Sequence, residues 1–279
     1  MKLTILTDNN TLIDRYLMAE PGFCVHLEVD GVKILLDTGY SDVFLRNASK
    51  MGLSLRDLDV VALSHSHLDH TWGLEPLIRH FTESAFEKLP CKRPKLLYHP
   101  DALLSRTFHQ TDEFGMLMTE SRLARYFALQ PSKEPYFITD KLAFLGHIER
   151  RFDFEAKTPI GKVLVDGSLQ DDYMQEDSAL AYNSSQGLVI ITGCSHSGIC
   201  NIIEQAKDVF KTDTVLDVIG GFHLQKPKPE QLEGTLQYFK QLKPASLHAC
   251  HCTDLQSKIR LAAVAPIEEV GAGLTLTYP

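Results

Sequence analysis

The chain has 279 residues, 44% of them hydrophobic and 23% charged, enough apolar content to bury a substantial core and too little charge for wholesale disorder. A formal charge of −8 supplies no general drive toward nucleic acid or anionic lipid and disfavours both as partners. The apolar part of "MKLTILTDNN" is too short for a secretory leader and no run reaches membrane-spanning length, so the expectation is a cytoplasmic protein whose six cysteines, lacking any disulfide-framework spacing, are reduced.

In chain order, "KLTILT", "FCVHLEV" and "VKILLDTG" read as strands, the last two joined by the hairpin signal Asp30-Gly31. Residues 41 to 51 read as a helix ended by Gly52. "SLRD" at 54 to 57 has the spacing of a short capping box, and "DVVALS" is a continuous apolar run expected of a strand covered on both faces. A helix is predicted at about 73 to 82. From about 83 to 160 periodicity weakens and prolines recur, so this stretch is predicted to be an insertion, helical near 116 to 129, lying over the scaffold. Strands return at "SALAY" and "GLVIIT", followed by a helix from Ser197 to Phe210 with apolar residues at helical spacing. "TVLDVIGG", a helix near 229 to 241, "ASLHA", a helix near 254 to 264 and "GLTLTY" complete the pattern. Strands and helices alternate in both halves, which points to two comparable halves packed face to face.

The chemistry is concentrated in "LSHSHLDHTWGL", residues 63 to 74. Alternate side chains of an extended segment share a face, so His65 and His67 project together just beyond "DVVAL", while Asp69 and His70 sit where the chain turns into the next helix. Imidazoles with one carboxylate suit zinc, iron or manganese better than calcium or magnesium. One loop cannot close two metal sites, so further donors are expected at other strand ends. His196 follows Leu188 to Thr192, His223 follows "VIGG", and His251 follows "SLHA", each with the placement by which α/β scaffolds assemble a site. Any one of these alone reads equally well as a structural histidine.

"GHIERRFDF" places Arg150 beside Arg151, a pair suited to a phosphate or carboxylate of a small anionic substrate, against the alternative of a solvated charged loop. Cys250 and Cys252 flank His251, but "CHC" lacks structural-zinc spacing, and these two with Cys194 and Cys200 read as small buried hydrophobes. His248 belongs to its strand, and His26 and His99 read as packing residues.

"HSHLDH" followed by "GCSHSGI", "GGFHL" and "HCTD" resembles the metallo-β-lactamase superfamily, and within it a branch of metal-dependent hydrolases that includes dihydropterin ribofuranosylaminobenzene phosphate synthases. The resemblance covers the chain from "LLDTG" at 35 to 39 through the C-terminal "HCTD". It implies an α/β fold of four-layer αββα sandwich type with two divalent metal ions at one rim. Carried over, His65, His67 and His196 would bind one ion, and Asp69, His70 and His251 the other. Asp37 would orient ligands from behind. The sequence departs from the pattern where many members carry a metal-bridging aspartate: that place holds His223, with Asp217 six residues earlier as a competitor, and the bridge stays open between His223, Asp217 and neither.

The resemblance implies hydrolysis by a metal-bound hydroxide, with zinc, iron or manganese as the metal, Asp69 and His223 as catalytic groups, and a phosphoester, phosphodiester or lactone as substrate. A transferase acting on a pterin pyrophosphate and an arylamine is the second reading, and a metal-binding sensor without turnover the third. The oligomeric state is left open, with a homodimer allowed.

Overall fold

The computed structural model describes residues 1–279. Two main sheets carry the architecture. The first has seven strands in the order Thr275–Thr277, Lys2–Thr7, Cys24–Val29, Val32–Leu36, Val60–Ala62, Lys95–Tyr98 and Ala128–Pro131. The second has six, in the order Ser246–Cys250, Val215–Gly221, Gly187–Thr192, Ala179–Ser184, Leu142–Phe144 and Tyr136–Phe137.

Alternation explains how the layers stack. In Val60–Ala62 and Gly187–Thr192 every residue is buried, because successive side chains face opposite apolar layers. Ile5, Val25, Leu36 and Ala62 of the first sheet meet Leu180, Val189, Ile191 and Ile219 of the second in one central cluster. On the outer face of the first sheet, Leu35, Val61 and Leu96 pack against Phe44, Leu77 and Phe81 of the helices Val43–Lys50 and Leu74–Phe86. On the outer face of the second, Leu188, Ile190 and Leu247 pack against Ile202, Phe239 and Leu261 of the helices Ile199–Phe210, Pro229–Leu242 and Leu255–Ala262. The result is the expected helix, sheet, sheet, helix sandwich, each fully buried Leu, Ile or Phe contributing about 1.5–3 kcal/mol through the area it removes from water.

The hairpin at Asp30-Gly31 forms, both residues having positive φ (50° and 78°) as a tight turn between twisted strands requires. Gly52 closes the first helix at φ +71°. Three expectations give way. "SLRD" forms only a turn, with Arg56 N–H donating to Ser54 Oγ at 3.3 Å, because no apolar helical run follows it. Residues 116 to 129 hold one helical turn, Glu120–Leu123, and then the strand Ala128–Pro131. Most importantly, the segment 83 to 160 is no separate insertion: Lys95–Tyr98 and Ala128–Pro131 complete the first sheet, and Tyr136–Phe137 and Leu142–Phe144 the second. These strands are too short, at two to four residues, to show a period of two. The longest parts outside the two sheets, around 104 to 119 and 146 to 174, include the small sheet of Arg106–Thr107, Lys162–Val165 and Ser168–Asp171.

The strands Val32–Leu36, Val60–Ala62 and Lys95–Tyr98 are mutually parallel, as are Gly187–Thr192, Val215–Gly221 and Ser246–Cys250. Parallel strands end on the same rim, and the loops that follow them converge there.

Candidate metal centre

Five loops after parallel strands deliver the chemistry. Asp37 follows Leu36, His65 to His70 follow Ala62, Cys194 and His196 follow Thr192, His223 follows Gly221, and His251 follows Cys250. A sixth strand end joins them: Lys2–Thr7 runs antiparallel to the same neighbour as Val32–Leu36, so Asp8 and Asn9 emerge on the same rim. To reverse direction at once, the chain takes the left-handed backbone at Asp37, Ser195, His223 and His251 (φ 55°, 61°, 50° and 51°). Non-glycine residues pay for that conformation, and it clusters at functional sites.

The rings of His65, His67 and His196 form a triangle, each pair of centroids 4.7 Å apart. Beside it, His70 Nε2 lies 3.2 Å from His251 Nε2 and 3.7 Å from Asp69 Oδ2, and His251 Nε2 lies 3.3 Å from Asp69 Oδ2. The residues expected to bind the two ions are thus gathered into two adjoining groups. His223 lies beside His196, the rings tilted by 59° with centroids 4.4 Å apart.

Hydrogen bonds fix which ring nitrogens face inward. Asp37 Oδ1 accepts from Ser64 N–H at 2.7 Å, and its Oδ2 accepts from Ser64 Oγ at 2.6 Å and from His70 Nδ1 at 2.7 Å. Since the single Ser64 hydroxyl proton goes to Asp37, Ser64 Oγ accepts from His65 Nδ1 at 2.9 Å. Both histidines therefore carry the proton on Nδ1 and present a bare Nε2 to the centre, the arrangement by which outer groups orient metal ligands. Ser66, between His65 and His67, is held by Glu176 Oε1 at 2.8 Å, itself paired with buried Arg106. His251 is held by Asp8 Oδ1 on its N–H at 3.0 Å and by Asn9 Oδ1 against Nδ1 at 2.9 Å.

Burial holds His65 and His196 well below the usual imidazole range and His67 at about 3, so all three are neutral donors at ordinary pH. Burial would raise the Asp69 carboxyl, but His70 and the hydrogen bond from His251 keep it well below the carboxylate range. Burial would lower His251, yet its hydrogen bond to Asp69 lifts it to about 9 in the metal-free chain.

A divalent ion fits this donor set. His65 Nε2, His67 Nε2, both ring nitrogens of His196 and His223 Nδ1 are buried without any hydrogen-bond partner, a cost the fold would not carry at five atoms in one place unless something else satisfied them. Triads of donor atoms within 4.8 Å of one another are formed by His65, Cys194 and His196, by His70, Cys194 and His251, and by Asp37, His65 and His70.

Other assignments shift. Asp217 is not at the rim: it pairs with His248 at 2.8 Å and accepts from the Tyr278 hydroxyl at 2.6 Å, at the far end of its strand. The structure does not bring Arg150 and Arg151 to the centre. Arg150 ties down its own loop by donating to the carbonyls of Tyr173, Met174 and Ala156, and Arg151 pairs at the surface with Glu149 and Asp208. The charges that line the cavity of about 390 Å³ beside His196 and His223 are instead Lys157, paired with Asp153 at 3.3 Å, together with Lys226, Lys228 and Glu230. Cys194, read as a packing residue, faces the donors. The left-handed turn at Ser195 (φ 61°), which no sequence pattern announced, brings Cys194 and His196 together. Asp8 and Asn9 did carry the strand-end signal.

The family model of the metallo-beta-lactamase superfamily matches residues 18–88, a span containing His65 to His70. A 7,8-dihydropterin-6-methyl-4-(beta-D-ribofuranosyl)-aminobenzene-5'-phosphate synthase of Methanocaldococcus jannaschii is 28% identical over 244 residues, covering 85% of this chain and 81% of the relative. The solved structure of Tm1679, a metal-dependent hydrolase of the beta-lactamase superfamily, superposes with a TM-score of 0.81 at 28% identity, over 99% of this chain and 98% of that one. A diphosphatase of the PhnP family shares the fold at 15% identity and a TM-score of 0.52, covering 99% of this chain and 96% of its own. No helix is long and apolar enough to cross a membrane. Residues 18–88 thus match the model of the metallo-β-lactamase superfamily, and over its whole length the chain is similar to a solved metal-dependent hydrolase of that superfamily.

Proposed function

We propose that the protein is a metal-dependent hydrolase holding two divalent transition ions, zinc first with iron or manganese as alternatives, and acting on a small phosphoester, phosphodiester or lactone. The observation that carries this reading is the set of unpartnered, buried imidazole nitrogens of His65, His67 and His196, whose rings cluster 4.7 Å apart with His67 and His196 lining one pocket. Ions bound there supply polarisation of a phosphoryl or carbonyl oxygen and lower the pKa of a water from about 16 to about 7. Asp69, ionised and 3.3 Å from His251, orients the attacking water and takes up its proton. His223, on the cavity side of His196 with Nδ1 free, donates to the leaving group. Lys226 and Lys228 draw in an anionic substrate, and Phe108 and Phe114 line the neighbouring wall.

A second reading, a transferase coupling a dihydropterin pyrophosphate to an arylamine, is favoured by the 28% identity to the archaeal synthase. Metal-loaded protein is assayed on chromogenic phosphomonoesters, phosphodiesters and lactones beside a His67→Ala/Asp69→Ala double variant that keeps its circular dichroism. Turnover in the wild type and none in the variant is expected; equal rates in both would sink the hydrolase. Coupled product from the pyrophosphate and arylamine, without simple hydrolysis, would install the transferase. Bound metal with no rate on any of these leaves a sensor.

A further inference from the structure

We infer that the Cys194 thiolate is the ligand that joins the two metal positions, in the role for which this chain has no carboxylate. The inference rests on the two-metal reading above and goes beyond it by naming the bridge. Three observations carry it. First, Cys194 is the one residue that belongs both to the donor triad with His65 and His196 and to the triad with His70 and His251. Its sulfur lies 3.3 Å from His70 Nε2. Two donors sharing a tetrahedral zinc, at about 2.3 Å for sulfur and about 2.0–2.1 Å for imidazole, stand roughly 3.3–3.8 Å apart, so this separation suits ligands of one ion.

Second, the alternatives are committed elsewhere. Asp217 is held by His248 and Tyr278. His223 offers an imidazole, which serves a single ion and cannot bridge two as a carboxylate or thiolate does. Cys252 lines the same pocket but joins no donor triad, its sulfur accepting from His223 N–H at 3.3 Å and donating to the Cys194 carbonyl at 3.4 Å.

Third, the backbone is built to bring this sulfur in. A Cβ on Gly193 would lie 2.1 Å from Ser64 Oγ and 2.9 Å from Asp37 Oδ2, so only glycine lets the strand end press against the Asp37–Ser64 pair. That approach sets Cys194 between the two groups, lining the same pocket as His67, Asp69, His196 and His251. Charge points the same way. Two dications set among imidazoles and the Asp69 carboxylate gain from a further anion, and a coordinating thiol is deprotonated outright, its proton passing to solvent as the sulfur–metal bonds form.

The test is a Co(II) titration of the chelator-stripped full-length protein, reading bound cobalt per chain beside the near-ultraviolet thiolate-to-cobalt charge-transfer band. A bridging sulfur predicts two ions per chain and a band that grows through both the first and the second equivalent. Cys252→Ala retains the band, whereas Cys194→Ser loses it and binds its second ion at least about ten-fold more weakly. Two bound ions without a band, a band complete at one equivalent, or one that persists in Cys194→Ser would overturn the bridge and leave the metal-centre reading standing. A wild-type chain that retains no cobalt would defeat that reading and the bridge together.

Discussion

The two sheets deliver their donors to the rim by different means. From the first, His65 and His70 come on one short loop, and each ring is held by a side chain behind it, the Asp37–Ser64 pair. From the second, His196, His223 and His251 arrive on three separate loops. There only His251 has a side chain, that of Asn9, against a ring nitrogen; His196 has none on either nitrogen, and the turns are fixed one by one, by left-handed backbone at Ser195, His223 and His251, by Ser195 Oγ donating to Gly221 O at 2.6 Å, and by Asp177 Oδ2 accepting from Ser197 N–H and Oγ at 2.8 and 2.6 Å. A contiguous motif can orient its ligands with one anchored carboxylate. Ligands scattered along the chain need each turn fixed individually.

Asp37→Asn attacks the first arrangement directly and carries the largest expected effect. Its amide would set an N–H against a site that accepts from both Ser64 and His70, freeing two rings at once. Metal affinity should fall about 10–100-fold, measured by competition with a chromogenic chelator, with both ions weakened. Unchanged affinity would mean that the rings are held by the metals alone.

The second arrangement is tested by pH. Burial raises the Asp177 carboxyl to about 7, and raises Glu155, which accepts from the N–H of Asn201 and Cys200, to about 7 as well. A carboxyl raised on folding stabilises the native state fully below its unfolded value, about 4, and loses that contribution as pH climbs toward 7. The neutral histidines act oppositely, their contribution vanishing as pH falls from about 6.5 toward the value of about 3 at His67. In the metal-free protein the two trends oppose each other across the same window. Removing one carboxyl with Asp177→Asn should therefore shift the stability difference between variant and wild type in the variant's favour between about pH 5 and about pH 7. Urea melts at both pH values report it; a difference independent of pH would show that Asp177 is ionised throughout.

The smallest effect belongs to Arg151. Its partners Glu149 and Asp208 are more than half exposed, and such surface pairs contribute about 0–1 kcal/mol. Arg151→Ala should leave KM and metal content unchanged and lower the thermal midpoint only slightly. A marked rise in KM would restore Arg151 to the substrate site.

Much of this was legible in the chain. "HSHLDH" is dense enough that local geometry nearly dictates its use, and buried runs such as "GLVIIT" announced the strands whose ends carry His196, His223 and His251. The segment 83 to 160 was not legible, because strands of two to four residues gain their identity from the sheets that adopt them rather than from their own pattern. Arg150 and Arg151 misled for a related reason: charge composition reports what a side chain can bind, while only packing shows that these two are already bound.

Outside residues 83 to 160 the sequence by itself determined most element types, and it marked the histidine and Asp69 donors and their placement after apolar strands, since these follow from period, turn chemistry and ligand preference within a few residues of each site. Tertiary structure alone decided which strand ends share a rim, that Asp217 faces away while Cys194 faces in, and that Asp8 and Asn9 reach across the whole chain to His251. Those outcomes depend on strand order and on left-handed turns that re-aim a side chain by one residue's rotation, and neither is encoded in any local stretch of residues.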